Sequence, residues 1–290
     1  MNPYQRFSSR LVWLMSALAA ALLCAALRRW QLASAYQPET GLFVHGAPAT
    51  YALLGVMGLL ILAFALGVQG DKEGPEDYLP AFGCPDTGQM TAFAAAGLLM
   101  MAAGMWGLWS NLDAIQQWQT GSNEYQLSAL AARVLAAALC LPAGNGVLLM
   151  GKMAYRGEMS DTACRLAPFP ALAGLVWLFA AHLRHGVEPV LMKYGFTLLA
   201  VLLLTLAHYC AAAFLYGRPR RRRTAFLTLS GAAMGIVSLA DRPDLFTAAA
   251  TLAFSLSALA LGRALLRNTF GPPWPEAERM PPTEEENQEK

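Results

Sequence analysis

The sequence has little charge. Of its 290 residues only 14% are Asp, Glu, Lys or Arg, whereas soluble domains carry about 25%. Apolar residues make up 56% of the chain, and they gather into runs of about 17 to 22 residues, long enough to cross roughly 30 Å of hydrocarbon as helices. A strict alternation in segments of about ten residues, which a transmembrane β-barrel needs, is missing. The sequence therefore predicts an all-α fold, a polytopic transmembrane helical bundle.

The chain also lacks the signatures of soluble enzymes. It contains no P-loop, Rossmann glycine pattern, HExxH, GxSxG or kinase motif. Its five cysteines form no CxxC pair and no zinc spacing, so we interpret them as apolar packing groups or reduced thiols. The net charge of +2 is close to neutral and gives no indication of nucleic-acid binding. We expect no cofactor and no nucleic-acid partner, and nothing in the sequence supports an enzyme.

Apolar runs divide the chain into about eight predicted spans. The first has the layout of a signal peptide, but Arg28 and Arg29 separate it from the cleavage-like Ala33-Ser34-Ala35, so we expect it to be retained. Residues 1–270 form the predicted bundle, and 271–290, rich in Pro and Glu, a disordered acidic cytoplasmic tail. The predicted spans are 11–27, 49–68, 90–109, 127–150, 166–182, 190–216, 224–240 and 245–262.

The basic loop 217–223 sets the predicted orientation, because arginines beside a span stay in the cytoplasm. With the N-terminus inside, about 15 Lys and Arg lie inside and about 6 outside, which predicts that both termini are cytoplasmic. Arginine far outnumbers lysine, which is typical of a GC-rich bacterial genome and suggests the plasma (inner) membrane. The bilayer is the expected partner, with anionic lipid headgroups at the loop's arginines. Those arginines are Arg218, Arg220, Arg221, Arg222 and Arg223.

Span four contains a helix-breaking sequence. Pro142 removes a backbone donor, and Gly144 and Gly146 loosen the helix around Asn145. Broken helices of this kind line the substrate sites of many transporters, whereas Pro and Gly are also common in ordinary spans. The two interpretations are a cavity and a packed kink. Our hypothesis is that Asn145 faces an aqueous cavity open to the cytoplasm.

Arg133 and His208 are candidate site residues because they lie well inside predicted spans. Arg133 lies about six residues into span four, roughly 9 Å from its outer end, and an intramembrane charge is a functional candidate by default. We favour snorkelling to water, or a pair with Asp113 or Glu124, over contact with a substrate or ion. His208 lies deep in span six, where it either contacts a solute or is hydrogen-bonded within the bundle.

A metal-like cluster lies at the outer edge of span five. His182 and His185 share a helix face, and Glu188 adds an oxygen ligand. Polar residues are ordinary at this depth, so we predict no metal site. Haem binding between His45 and His182 stays open, whereas His208 lies roughly 27 Å deeper than His182 and cannot share a haem with it.

These observations leave three classes of function. Transport or permeation of a small solute is the leading hypothesis. The alternative is a non-catalytic anchor, scaffold or sensor that meets an unidentified cytoplasmic or membrane protein. A redox subunit comes third, because the histidine depths disfavour it. A cavity reaching Arg133 and Asn145 would favour transport, and a solid bundle the anchor or sensor.

Overall fold

The computed structural model describes residues 3–37, 40, 42–69, 74–119, 127–185 and 190–271, and these residues are folded into α-helices with short connections. For 3–17, 113, 117–119 and 185 it describes the backbone alone. Two 3₁₀ turns, Ala213–Tyr216 and Leu239–Asp241, follow α9 and α10. The helices are α1 (Pro3–Ser34), α2 (Pro48–Gly67), α3 (Tyr78–Phe82), α4 (Thr87–Ser110), α5 (Leu112–Gln119), α6 (Leu127–Arg156), α7 (Asp161–Leu166), α8 (Phe169–His185), α9 (Leu191–Ala212), α10 (Arg221–Ser238) and α11 (Leu245–Phe270).

The described residues contain seven helices long and apolar enough to cross a membrane: α2, α4, α6, α8, α9, α10 and α11. The prediction of an all-α, multi-pass membrane protein is therefore confirmed. The predicted first span, 11–27, lies within the 32-residue helix α1. The side chains of residues 11–17 fall outside the described residues, so the eighth span and the orientation stay predictions.

Six of the long helices form a closed ring. In order around it, α4 packs on α6, α6 on α8, α8 on α9, α9 on α10, α10 on α11, and α11 on α4. α11 also contacts α9 across the ring, which is therefore flattened rather than open. The hairpin of α1 and α2 lies outside this ring and packs against α10.

Glycines bring α4 and α6 into backbone contact. A methyl group added to Gly97 would lie 2.6 Å from the carbonyl oxygen of Gly144, so neither position has room for a side chain. Small residues allow this close approach, which drives helix association where lipid offers no hydrophobic force. Pro142 lies inside α6, and the helix continues across it from Leu127 to Arg156. The predicted interruption of span four is thus not a break in the helix, because neighbouring helices stabilise proline in a span.

Two helix ends differ from prediction at the face that carries loop 217–220, which we call the inner face. Arg221–Arg223 form the first turn of α10 instead of part of the loop. α11 runs on to Phe270, so residues 263–270, expected to begin the tail, are helical. Arg263 pairs there with Asp86 at 2.9 Å, which places the acidic segment on the same face. The rest of the tail, 272–290, lies outside the described residues.

Two other segments predicted to be irregular contain short helices. The acidic segment 70–89 includes α3, and the segment 111–126 begins with α5. The face opposite the inner one carries the turn 239–244, and we call it the outer face, following the predicted orientation.

Candidate functional site

A cavity of about 650 Å³ opens at the outer face between α4, α6, α8, α9 and α11. The turn between α10 and α11 closes one side of it, and the first residues of α11 reach into it. We call this cavity the vestibule. Its charged residues are Arg133, Arg184, Lys193, Asp241, Arg242 and Asp244, and its apolar wall includes Leu130, Trp177 and Phe246.

Asp244 joins α6, α8 and α11 at the wall of the vestibule. Arg133 donates from Nη2 to Asp244 Oδ2 at 2.7 Å, and Arg184 from Nη1 to Oδ1 at 3.0 Å. The hydroxyl of Thr247 donates to the same Oδ1 at 2.7 Å. Burial raises the pKa of the Asp244 carboxyl, but the hydroxyl and the two guanidiniums lower it by more, so its pKa lies below the usual value. Asp244 therefore stays a carboxylate across the physiological range.

A fully buried arginine lies behind the vestibule. Arg28 of α1 has no exposed surface, and its Nε donates to Asp241 Oδ1 at 2.7 Å. Nη1 donates to Gln31 Oε1 at 2.6 Å, and Nη2 to the carbonyls of Met192 and Lys193, each at 2.9 Å. The sequence suggested only an outer-loop arginine here. One signal for this network was available: Gln31 follows one turn later on the same helix face.

Aromatic rings form the floor of the vestibule. The ring of Trp177 lies 6.4 Å from that of Phe246 and 5.7 Å from that of Phe254, measured between centroids. Phe254 in turn meets His208 edge-on at 5.1 Å. These contacts connect the vestibule to the middle of the bundle and seal it with packed rings.

Below the floor, α9, α10 and α11 bury several polar groups. His208 Nδ1 lies 2.8 Å from the Leu204 carbonyl oxygen, and Nε2 lies 3.0 Å from Ser257 Oγ. Both ring nitrogens are thus engaged, which leaves no site for a haem iron in this arrangement. The hydroxyls of Ser230 and Ser255 are buried without a hydrogen-bond partner in the described part of the chain. Such orphaned groups are rare and call for an explanation.

The inner face carries a second, smaller cavity of about 310 Å³, which we call the inner cavity. Four of the five predicted lipid-binding arginines, Arg220 to Arg223, line it together with Val68, Leu265 and Phe270. Arg218 lies nearby on the exposed surface. Guanidiniums beside an apolar wall are the combination that an anionic lipid headgroup and its acyl chain would meet.

The remaining predicted residues of span four lie apart from both cavities. Gly144 faces α4, and a methyl group at Gly146 would meet the carbonyl oxygen of Leu166 at 2.6 Å. Asn145 is exposed on the surface of α6, and neither Asn145 nor Pro142 belongs to the lining of the vestibule or the inner cavity. The structure therefore does not bring these residues together with Arg133 or His208.

The predicted partners of Arg133 and the predicted metal-like cluster are only partly described by the structure. Arg133 pairs with Asp244, whereas the side chains of Asp113 and Glu124 lie outside the described residues. His182 is exposed; the side chain of His185 and all of Glu188 lie outside. Among the side chains that the structure does describe, no three metal-binding groups come together.

Seven apolar helices and a charged opening at one face define the class of the molecule, a multi-pass helical membrane protein. The chain matches no protein-family model, and no curated protein and no solved structure is significantly similar to it.

Proposed function

We propose that the protein carries a small solute across a bacterial plasma membrane, through the six-helix ring and from the vestibule inward. The observation that carries this proposal is an unbroken line of side-chain contacts from the vestibule to the buried polar groups. Trp177 lines the vestibule, touches Phe254, and Phe254 touches His208. A cavity of this size and mixed lining is ordinary for a small-molecule site.

The polar path continues along α11 to the inner face. One turn beyond Ser257, the side chain of Gln89 donates to the carbonyl of Ala260. Gln89 Oε1 accepts from Arg263 at 3.3 Å, and Arg263 pairs with Asp86. The 19 residues from Asp244 to Arg263 rise roughly 28 Å at 1.5 Å each, about the thickness of the hydrocarbon core.

Buried polar groups support transport because they are expensive at this depth. Hydroxyls and ring nitrogens in a span either fasten helices together or line a route for a polar solute. The hydrogen bond between His208 and Ser257 fastens α9 to α11. The hydroxyls of Ser230 and Ser255 have no hydrogen-bond partner within the described residues, so they form no link between helices there. We interpret them as groups that meet water or solute when the aromatic floor opens.

Thiol accessibility tests the proposal. We expect Ser257→Cys, in a chain without native cysteines, to react with a charged, membrane-impermeant methanethiosulfonate added to at least one face of sealed vesicles. Thr197→Cys in the vestibule is the positive control from the outer face, and Val147→Cys, only 2% exposed between helices, is the negative control. If Ser257→Cys is inert from both faces while Thr197→Cys reacts, the path does not open and transport is refuted.

The second candidate is a non-catalytic anchor, scaffold or sensor. The packed floor of Trp177, Phe246 and Phe254 favours it, since a sensor needs a pocket but no passage. In either case we infer that anionic lipid occupies the inner cavity. Phosphatidylglycerol should stabilise the wild type more than Arg220→Gln/Arg223→Gln in thermal unfolding. Equal stabilisation of both would refute this lipid site.

A further inference from the structure

The geometry points to the class of solute: we propose that the vestibule binds a small organic anion, with a carboxylate or phosphate on its cations and an apolar body on its aromatic floor. This deepens the proposed function and rests on the vestibule being the outer opening of the path. Four features support it: the balance of charge, two cations without partners among the described residues, the left-handed backbone of one of these cations, and the apolar wall.

Positive charge dominates the described lining. It holds four cations and two carboxylates, and four minus two leaves a surplus of two positive charges. Arg28 pairs with Asp241 from its buried side at 2.7 Å. When this guanidinium is counted with the described lining, the positive surplus is three. Like charges in a partly enclosed, low-dielectric cavity attract a counter-charge more strongly than they would in water.

Two of the four cations have no partner among the described residues. Arg133 and Arg184 share the single carboxylate of Asp244. The side chains of Lys193 and Arg242 form no ion pair or hydrogen bond within the described ranges. Both are exposed to the cavity mouth, so an incoming anion meets two hydrated cations before it reaches the paired ones.

Arg242 occupies an unfavourable backbone conformation. Its φ is +53°, and it is the one non-glycine residue with positive φ in the described parts of the chain. Gly, Asn or Asp would adopt this left-handed conformation more readily. Residues held in such conformations cluster at ligand sites, and here the strained position presents to the vestibule a guanidinium that has no partner in the described part of the chain. The backbone conformation at position 242 favours glycine, asparagine or aspartate, so we infer that arginine is present there for its positively charged side chain.

The apolar wall of the vestibule indicates that the ligand has an apolar body in addition to its anionic group. Trp177, Phe246 and Leu130 give the vestibule an apolar surface beside its charges, and a bare inorganic ion would leave that surface in contact with water. A cavity of about 650 Å³ holds an anion with a ring or short chain attached. The same chemistry belongs to a soluble metabolite and to an anionic lipid of the outer leaflet, and the two sources are separable by experiment.

The test uses the full chain in nanodiscs and four probes of one size: benzoate, phenyl phosphate, neutral benzamide and cationic benzylamine. We expect the two anions to raise the apparent Tm saturably, and added NaCl to weaken them. Lys193→Gln and Arg242→Asn should each weaken benzoate binding by roughly ten- to a hundredfold. Asn keeps the left-handed backbone accessible, so loss of charge is isolated from strain. Arg218→Gln, exposed at the inner face, is the control that should leave the Kd unchanged.

The outcomes separate the sources and the two proposals. Competition between benzoate and phosphatidylglycerol, absent with phosphatidylcholine, would assign the site to lipid headgroups; no competition would assign it to soluble anions. Benzamide binding as tightly as benzoate, or wild-type benzoate binding in both cation variants, would overturn the inference. Benzoate binding with Ser257→Cys inert from both faces would refute transport and leave the anion site standing. If Ser257→Cys is labelled but the anions bind no better than benzamide, the anion site is refuted and transport stands.

Discussion

Replacing Arg28 with methionine removes one partner of a buried ion pair. The guanidinium is fully buried and makes four hydrogen bonds, while its partner Asp241 is only 11% exposed. The ring of Phe196 also lies 4.3 Å from the guanidinium carbon. Without Arg28, the Asp241 carboxylate keeps one described hydrogen bond, from the Thr197 hydroxyl at 3.3 Å. An uncompensated buried charge of this kind destabilises a protein by about 3 to 5 kcal/mol.

Thermal unfolding in detergent measures the effect. At 2 to 4 °C per kcal/mol, Arg28→Met should lower the apparent Tm by roughly 6 to 20 °C. The matched control is Arg29→Met, one residue along α1, where the exposed guanidinium makes a single 3.2 Å bond to the carbonyl of Ala240. Replacing both partners, in Arg28→Met/Asp241→Leu, should restore about half of the loss, because no unpaired charge remains.

This reasoning would be refuted by an Arg28→Met protein as stable as the Arg29→Met control. It would equally be refuted if the double variant were less stable than the sum of its single variants predicts, because the coupling would then have the wrong sign.

Five further expectations concern particular contacts and segments. Gly144→Ala should lower the free energy of unfolding by about 1 to 3 kcal/mol, because the added methyl group meets the backbone of Gly97. The control Gly58→Ala, which faces open space, should be neutral or stabilising by up to about 1 kcal/mol. Equal Tm values for the two variants would contradict the contact. Because the folded pKa of Asp244 lies below its unfolded value of 3.8, its contribution is complete above that pH and is lost as pH falls through the folded pKa; Tm profiles should therefore fall more steeply in acid for the wild type than for Asp244→Asn, and parallel profiles would exclude this. Reporter fusions after 223 and after 290 should both report the cytoplasm, and deletion of 272–290 should leave membrane yield unchanged; an exported reporter or a collapse in yield would count against the topology or the tail. Because Asn145 is exposed on α6 but lines neither the vestibule nor the inner cavity, Asn145→Cys should resist an impermeant thiol reagent in inside-out vesicles; labelling would contradict a lipid-facing position and support the cytoplasmic cavity predicted from the sequence.

The helices could be predicted from the sequence because a span leaves a local signal. A run of apolar residues marks its own length, so seven of the predicted spans coincide with long apolar helices. The ends of the helices are harder to predict from the sequence than their positions, because a polar residue does not end a helix by itself. Arg221–Arg223 and residues 263–270 show this, since their backbone bonds continue the helix while their charges leave the apolar region.

The candidate site was predictable only in part, because its partners lie far apart in sequence. Arg133 stood out as a charge within a span, but its partner Asp244 lies 111 residues away. Arg28 served in the sequence only as an argument against cleavage of the first span, and its partner Asp241 lies 213 residues away. Pro142 and its glycines gave the strongest local signal, yet the structure uses the glycines for close packing between helices. Local chemistry marks polar residues, whereas long-range packing decides which of them meet.

The separation between Arg28 and Asp241 has a consequence for biosynthesis. Arg28 emerges from the ribosome 213 residues before the carboxylate that neutralises it, which at 5 to 20 residues per second is a delay of about 10 to 40 s. For most of this interval, the helix that α1 and α2 pack against, α10, has yet to be made. The guanidinium must then be accommodated by water, lipid phosphate or an insertion factor at the bilayer surface. The first hairpin therefore inserts as a provisional structure, and the synthesis of the Asp241 turn converts it into a fixed one.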